Sequence, residues 1–259
     1  MAVKYTIQGL LIYVTLAAYL LSLASMLLRR PKAAHIFFAF AFLFGCFAVA
    51  YRWLDVRHLP LQNLFEVFLF LSVIVYPVSV FCRRVLRVGG IAADVLIGAI
   101  VLFPAGFVFS ADPQQLPPAL QCWLFGPHVF VYMLSYVLMT KAAVHATLQL
   151  ADMGTPPDST EPQHLMVCAG FPLLTLGLVL GSVWGGLAWG DWWGWDPKEL
   201  WSLASWLVYV AYFHFRYMFG RKFPRANNIW IIAGFVVIVI TLLWVNLSNL
   251  FSGLHTYAI

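Results

Sequence analysis

Apolar residues along this chain gather in runs of about 20, the length of helix that fills the hydrocarbon core of a bilayer. The runs lie over about 7–28, 34–53, 62–81, 90–110, 123–149, 164–187, 198–219 and 229–250. The seventh differs from the rest. It carries Lys198 and Glu199 at its start and His214 and Arg216 near its end, around an apolar centre. Pro77, Pro104, Pro127 and Pro172 fall inside runs, which membrane helices tolerate better than soluble ones. The pattern predicts an all-α fold: a polytopic membrane helix bundle of about eight transmembrane helices, forming a single integral membrane domain over 1–259.

Composition sharpens this. Of the 259 residues, 63% are hydrophobic and 10% charged, against about 25% charged in an average soluble domain. A soluble globular domain and intrinsic disorder are both excluded. Cys46, Cys82, Cys122 and Cys168 are scattered through apolar stretches without a C-x-x-C pair. They read as small buried hydrophobes rather than as a metal site, a redox pair or a disulfide framework. The first run has its basic cluster after it, so no cleavable signal peptide is expected.

The net charge is +5. The basic blocks Arg29-Arg30-Pro31-Lys32, Arg83-Arg84 and Arg221-Lys222 are short and sit between apolar runs, which speaks for membrane orientation and against nucleic acid. One set of loops holds these blocks with Arg87, Arg216 and Arg225. The other set holds only Lys4, Arg52, Arg57 and Lys198. The richer set is assigned to the cytoplasm, which places both termini outside. The connector Ala151 to Gln163 is then cytoplasmic and flexible. The outer loops are 54–61, 111–122, 188–197 and 251–259.

Tryptophan is in excess, with 11 in the chain. Trp184, Trp189, Trp192, Trp193, Trp195, Trp201 and Trp206 all fall in one stretch, 184–206. Its core runs Trp189-Gly190-Asp191-Trp192-Trp193-Gly194-Trp195-Asp196-Pro197-Lys198-Glu199. Gly190, Gly194 and Pro197 break regular structure. Pro197 can open span seven, with Asp196 as N-cap and Glu199 favourable to the helix dipole. An interfacial aromatic belt explains a few Trp at span ends. It explains poorly a loop that interleaves Trp with Gly and Asp. A flat aromatic shelf for a large planar apolar ligand fits better.

The string WGDWWGWDPKELWSLASW, Trp189 to Trp206, resembles the tryptophan-rich "WWD" signature of the haem-handling cytochrome c assembly membrane proteins. These include the CcsA/ResC subunit of the system II cytochrome c synthase, and CcmC and CcmF of system I. The Trp195-to-Glu199 continuation resembles the CcsA/ResC branch. So does His58-Leu59-Pro60-Leu61-Gln62-Asn63-Leu64-Phe65-Glu66, similar to that branch's HFPLSNLYES. Gly253-Leu254-His255-Thr256-Tyr257 is similar to its GLHSY. The resemblance covers roughly 50–259.

Holding a haem between two imidazoles needs histidines on opposite faces of the ring. His128 is placed near the outer end of span five and His255 just past the outer end of span eight, so both flank the Trp loop. A single membrane histidine is more often a packing residue. Two on the side of the shelf raise the case for ligation, and the resemblance implies that His128 and His255 hold an external haem b. It also implies contacts from Trp189, Trp192, Trp193, Trp195 and Asp196. His214 lies roughly 24 Å along helix seven from Lys198, near the cytoplasmic face. It reads either as an interfacial histidine beside Arg216 or, by resemblance, as the ligand of a second haem within the membrane. His35, His145 and His164 read as interfacial, with one of them an alternative inner ligand, and His58 as a loop residue or a positioner of the shelf. Glu66 should pair with Arg52, Arg57 or Lys198. These same cations are candidates for haem propionates. Asp94 reads as a helix cap, and Asp191 and Asp196 as groups that orient the loop or a ligand imidazole.

The resemblance implies haem export and covalent attachment to apocytochrome c at its C-x-x-C-H motif on the outer face. It implies a CcsB/ResB-like membrane partner that supplies the other inner histidine. The expected location is a bacterial cytoplasmic (inner) membrane or a thylakoid-type equivalent, with the haem site on the outer, periplasmic side. Two alternatives share these helices: CcmC-like delivery of haem to a chaperone, and a membrane regulator of haem synthesis. A transporter of an unrelated apolar ligand would bind no haem.

Overall fold

In the computed structural model, residues 3–151 and 160–244 are described. Their regular elements are helices: α1 Ile7–Leu27, α2 Pro31–Val56, α3 Leu64–Arg84, α4 Ile91–Phe107, α5 Phe125–Leu150, α6 Glu161–Trp189, α7 Pro197–Phe219 and α8 Pro224–Val239. α8 continues as a π-helical turn, Ile240–Trp244. Each predicted run contains one helix. α1, α2, α3, α5, α6 and α8 with its continuation to Leu243 are long and apolar enough to cross a bilayer, whereas α4 is apolar but spans only 17 residues. α7 is 23 residues long and carries charge at both ends. The protein is a multi-pass membrane helix bundle.

Helix ends follow the local chemistry. Thr6 caps α1 by accepting the Gly9 N–H, and Asn63 caps α3 by accepting the Glu66 N–H at 3.0 Å. Prolines stand in the first turn of α2, α6, α7 and α8, where no intrahelical N–H is lost. α6 already begins at Glu161, so the connector expected over Ala151 to Gln163 is shorter than its composition suggested, and 152–159 lie outside the described residues.

The chain divides into two compact units, Met1–Pro117 and Pro118–Ile259. In the first, α1 packs on α2 and α4, and α3 packs on the same two helices, closing a four-helix ring. Its most polar feature is buried. Arg52 on α2 and Glu66 on α3 are each 1% exposed and pair at 2.9 Å. Arg52 also donates to the carbonyls of Ala111 at 2.6 Å and Asp112 at 3.4 Å, while the second Glu66 oxygen accepts the Gln62 N–H at 2.8 Å. Gln62 donates on to Gln115 O, and His58 Nε2 lies 3.3 Å from Gln114 O. The 58–66 and 111–115 segments are thus tied together around one ion pair. Arg52 is therefore the partner of Glu66, and its guanidinium is spent inside this unit, which corrects its candidacy as a haem propionate contact. Asp94 is corrected too. α4 is capped by Gly90 in the left-handed region, and Asp94 is a buried acceptor for the Ser79 hydroxyl.

In the second unit α5 packs against α6 and α8, and α7 packs mainly against α8. Gly170, Gly177 and Gly181 on α6 face α5. A Cβ at these positions would press on Met139, on the Tyr132 ring and on His128 respectively. The small residues let the two helices approach closely, as membrane interfaces require.

Candidate functional site: the tryptophan loop and His128

α5 presents His128 one turn from its start, against the glycine face of α6. His128 Nδ1 lies 2.9 Å from the Gly177 carbonyl. A carbonyl can only accept, so the proton sits on Nδ1 and the lone pair on Nε2. That is the tautomer in which an imidazole ligates a metal while its other nitrogen is anchored. The ring stacks on Trp184, with centroids 5.7 Å apart and planes 22° apart, and meets Tyr132 edge-on at 5.1 Å.

Trp184 belongs to this support, not to an exposed shelf. It is 2% exposed, donates its indole N–H to Ala119 O at 2.9 Å, and touches Phe125 and Trp189. α6 carries Trp184 and runs on through Trp189, so both belong to helix rather than loop. Gly190 then ends the helix at φ 86°, a conformation open to glycine without strain.

The loop folds back over α6. Ser182 Oγ donates to Trp192 O at 2.8 Å, and the Trp192 ring lies on Gly186, where a Cβ would approach it to 3.3 Å. At the far end Asp196 and Glu199 form a capping box on α7. Asp196 Oδ1 accepts the Lys198 N–H at 2.9 Å, and Glu199 Oε2 accepts the N–H groups of both Gly194 and Asp196. The expected cap at Asp196 is present, and Glu199 acts as a loop anchor beyond its favourable charge.

The exposed indoles of this loop are Trp192, at 64%, and Trp195, at 63%. Trp195 adopts φ 56°, uncommon for a bulky residue. The indoles do not form one flat shelf: Trp193 and Trp195 are perpendicular at 86°, and Trp184 and Trp189 are inclined at 65°. Trp193 Nε1 is buried with no hydrogen-bond partner among the described residues. A ring with carboxylate arms would supply an acceptor for it, and an imidazole lone pair suits a ring-bound iron. The residues present fit haem in both respects.

The structure brings His128 together with Trp184 and, through it, Trp189. Trp192, Trp193, Trp195 and Asp196 follow on the loop pinned to the same helix. His255 and its GLHTY context lie outside the described residues. His214, on α7, is exposed, with Nδ1 2.8 Å from Val210 O. Arg216 is not paired with it but bonds Thr160 and Glu161 at the start of α6. His164, read from sequence as interfacial, is half-buried beside Tyr212 Oη at 3.0 Å and Cys168 Sγ at 3.4 Å. Among the described residues no three His, Cys, Asp or Glu side chains form a metal cluster.

Gly177, Gly181 and Ser182 carry the geometry and were not singled out by sequence as parts of the site. The four-residue spacing of Gly177, Gly181 and Gly185 was the available signal, since such spacing puts small residues on one helix face.

A helical membrane bundle in which a half-buried histidine is backed by a tryptophan segment defines the class, a polytopic membrane protein. Residues 61–255 match the Cytochrome C assembly protein family, and the chain belongs to it. It is 29% identical to the cytochrome c biogenesis protein CcsA of Prochlorococcus marinus (strain MIT 9515), over 97% of this chain and 92% of that one. It is 31% identical to CcsA of Mesostigma viride, over 95% and 96%, and 30% identical to CcsA of Synechocystis, over 80% and 82%.

Proposed function

We propose that this chain serves cytochrome c biogenesis by holding haem b at the Trp184–Trp206 segment and presenting it for attachment to apocytochrome c. The observation that carries the reading is His128 fixed by Gly177 O in the tautomer that puts its lone pair on Nε2, stacked on the first tryptophan of that segment. His128 and His255 are the axial ligands. Trp189, Trp192, Trp193 and Trp195 contact the ring, Trp193 Nε1 donates toward its carboxylate arms, and Asp196 holds the loop. The two thiols of a C-x-x-C-H motif add across the haem vinyl groups. In each addition one S–C bond forms, the thiol hydrogen goes to the neighbouring carbon, and nothing is oxidised. The chain contributes position and shelter, which suffice for substrates that carry their own reactivity.

His214 is the ligand of a second, inner haem. Its exposure and its Nδ1 contact with Val210 O, which leaves the ring's other nitrogen to carry the ligating lone pair, support this reading. The partner is a CcsB/ResB-like membrane protein, and the site of attachment is the outer side of a bacterial cytoplasmic or thylakoid-type membrane. The CcsA relatives favour this reading over haem delivery to a chaperone.

The test is the reduced absorption spectrum of the purified membrane protein and of its His128→Ala and His255→Ala variants. Wild type should show six-coordinate low-spin haem, and each variant should lose it. Haem-free wild type from haem-replete cells, or variants with the wild-type spectrum, would refute the assignment. His214→Ala tests the inner site separately. Unchanged haem loading and unchanged cytochrome maturation would remove it.

A further inference from the structure

Gly177 O in the interior of α6 already accepts the amide of residue 181 in the helical ladder, yet it also takes the His128 Nδ1–H at 2.9 Å. A hydroxyl can reach a helix carbonyl past an ordinary side chain, as Ser135 does at Gly170 O, but a flat imidazole seated against the helix needs the space of the side chain one turn on. Side chains on a helix lean toward its N-terminus, so residue 181 leans over carbonyl 177. Residue 181 is glycine. A Cβ there would stand 2.6 Å from His128 Cε1, 3.0 Å from Nδ1 and 3.5 Å from Nε2. Trp184 stacks on the ring and Tyr132 meets it at right angles, which limits how it can give way. Trp184 is itself fixed by Ala119 O. A glycine in a helix interior is unfavourable relative to alanine, and here the imidazole occupies the space of the missing atom.

We propose that Gly181 is a positioning residue. By lacking a Cβ it makes room for the imidazole to seat on the Gly177 carbonyl, which fixes the tautomer and rotation of His128 so that Nε2 meets the ligand. The proposal rests on the reading of His128 as a haem ligand for its consequence, but not for its geometry. A carbonyl acceptor on Nδ1–H makes an imidazole a stronger donor through Nε2, so Gly181 also sets how strongly the iron is held in its oxidised form.

Two measurements test this on the full-length protein in detergent. The first is spectroscopic: Gly181→Ala should lose most of the six-coordinate low-spin haem, and the haem it retains should have a more positive midpoint potential. A wild-type spectrum and potential would overturn the proposal. The second needs no haem and uses thermal unfolding of haem-depleted protein in a double-mutant cycle. Gly181→Ala should lower the midpoint in the His128 background and leave it unchanged or raise it in the His128→Ala background, where the space is vacated. An equal loss in both backgrounds, or failure of both to fold, would make Gly181 an ordinary packing glycine and overturn the proposal. If His128→Ala binds haem like wild type while the cycle behaves as stated, the haem assignment fails and the slot stands.

Discussion

Glu199 reaches back from the first turn of α7 and accepts the backbone N–H of Gly194 at 2.9 Å, five residues earlier. The same oxygen takes the Asp196 N–H at 3.1 Å. One carboxylate therefore closes the helix start and fixes the backbone between Trp193 and Trp195.

Glu199→Ala should remove both bonds at once. Loss of a capping interaction costs about 1 kcal/mol, so a small drop in the thermal midpoint is expected. The loss of haem on dilution should be disproportionately larger, because the loop carries the exposed indoles. Glu199→Gln keeps an acceptor oxygen and should fall between wild type and alanine. Haem retention equal to wild type in Glu199→Ala would detach the anchor from the site.

The Arg52–Glu66 pair holds the first unit's loops from inside. Breaking a buried pair by removing one partner typically costs about 3–5 kcal/mol, since the other charge is left uncompensated. Arg52→Ala and Glu66→Ala should each sharply lower the yield of folded protein. Replacing both by apolar residues of similar volume should restore much of it. Thermal unfolding of the three variants decides this.

Trp193 offers a cleaner separation of stability from binding. Leaving a buried donor unsatisfied costs about 1–3 kcal/mol, so Trp193→Phe should leave the haem-free protein as stable as wild type or more so. Haem retention should fall if the indole N–H meets a haem carboxylate. Isothermal haem titration beside thermal unfolding reads both quantities on one sample.

Trp195 holds φ 56°. A left-handed backbone costs a residue with a Cβ roughly 1–2 kcal/mol. Trp195→Gly should relieve this and raise the unfolding midpoint of the haem-free protein, while weakening haem retention through loss of an exposed indole. Trp195→Phe should keep the strain and most of the binding. A Gly variant that is both less stable and fully haem-competent would contradict the proposed role.

The helices were legible in the sequence because lipid imposes a simple rule. A spanning segment must be apolar for about 20 residues and must satisfy its backbone internally. Pro197, Asp196 and Glu199 announced the start of α7 because capping is local chemistry within four residues. The end of α6 was less legible. Trp189 looked like a loop residue beside Gly190 and Trp192, and Trp184 like part of an exposed shelf, because local sequence cannot say whether an indole faces solvent or a neighbouring helix.

Sequence alone determined that this is a membrane helix bundle, that a tryptophan segment joins its sixth and seventh helices, and that it resembles haem-handling proteins. Those properties depend on composition, run length and motif, all of which are read along the chain. Tertiary structure decided which groups act on one another. It chose Arg52 over Arg57 and Lys198 as the partner of Glu66, and it turned Asp94 from a cap into an acceptor for Ser79. It moved Trp184 from the surface to the back of His128 and gave Gly177 and Gly181 their part in holding the imidazole. The physical reason is that hydrogen bonds and close packing act over about 3–4 Å, so their partners are set by how α5 seats on α6, a distance of 49 residues in the sequence between His128 and Gly177.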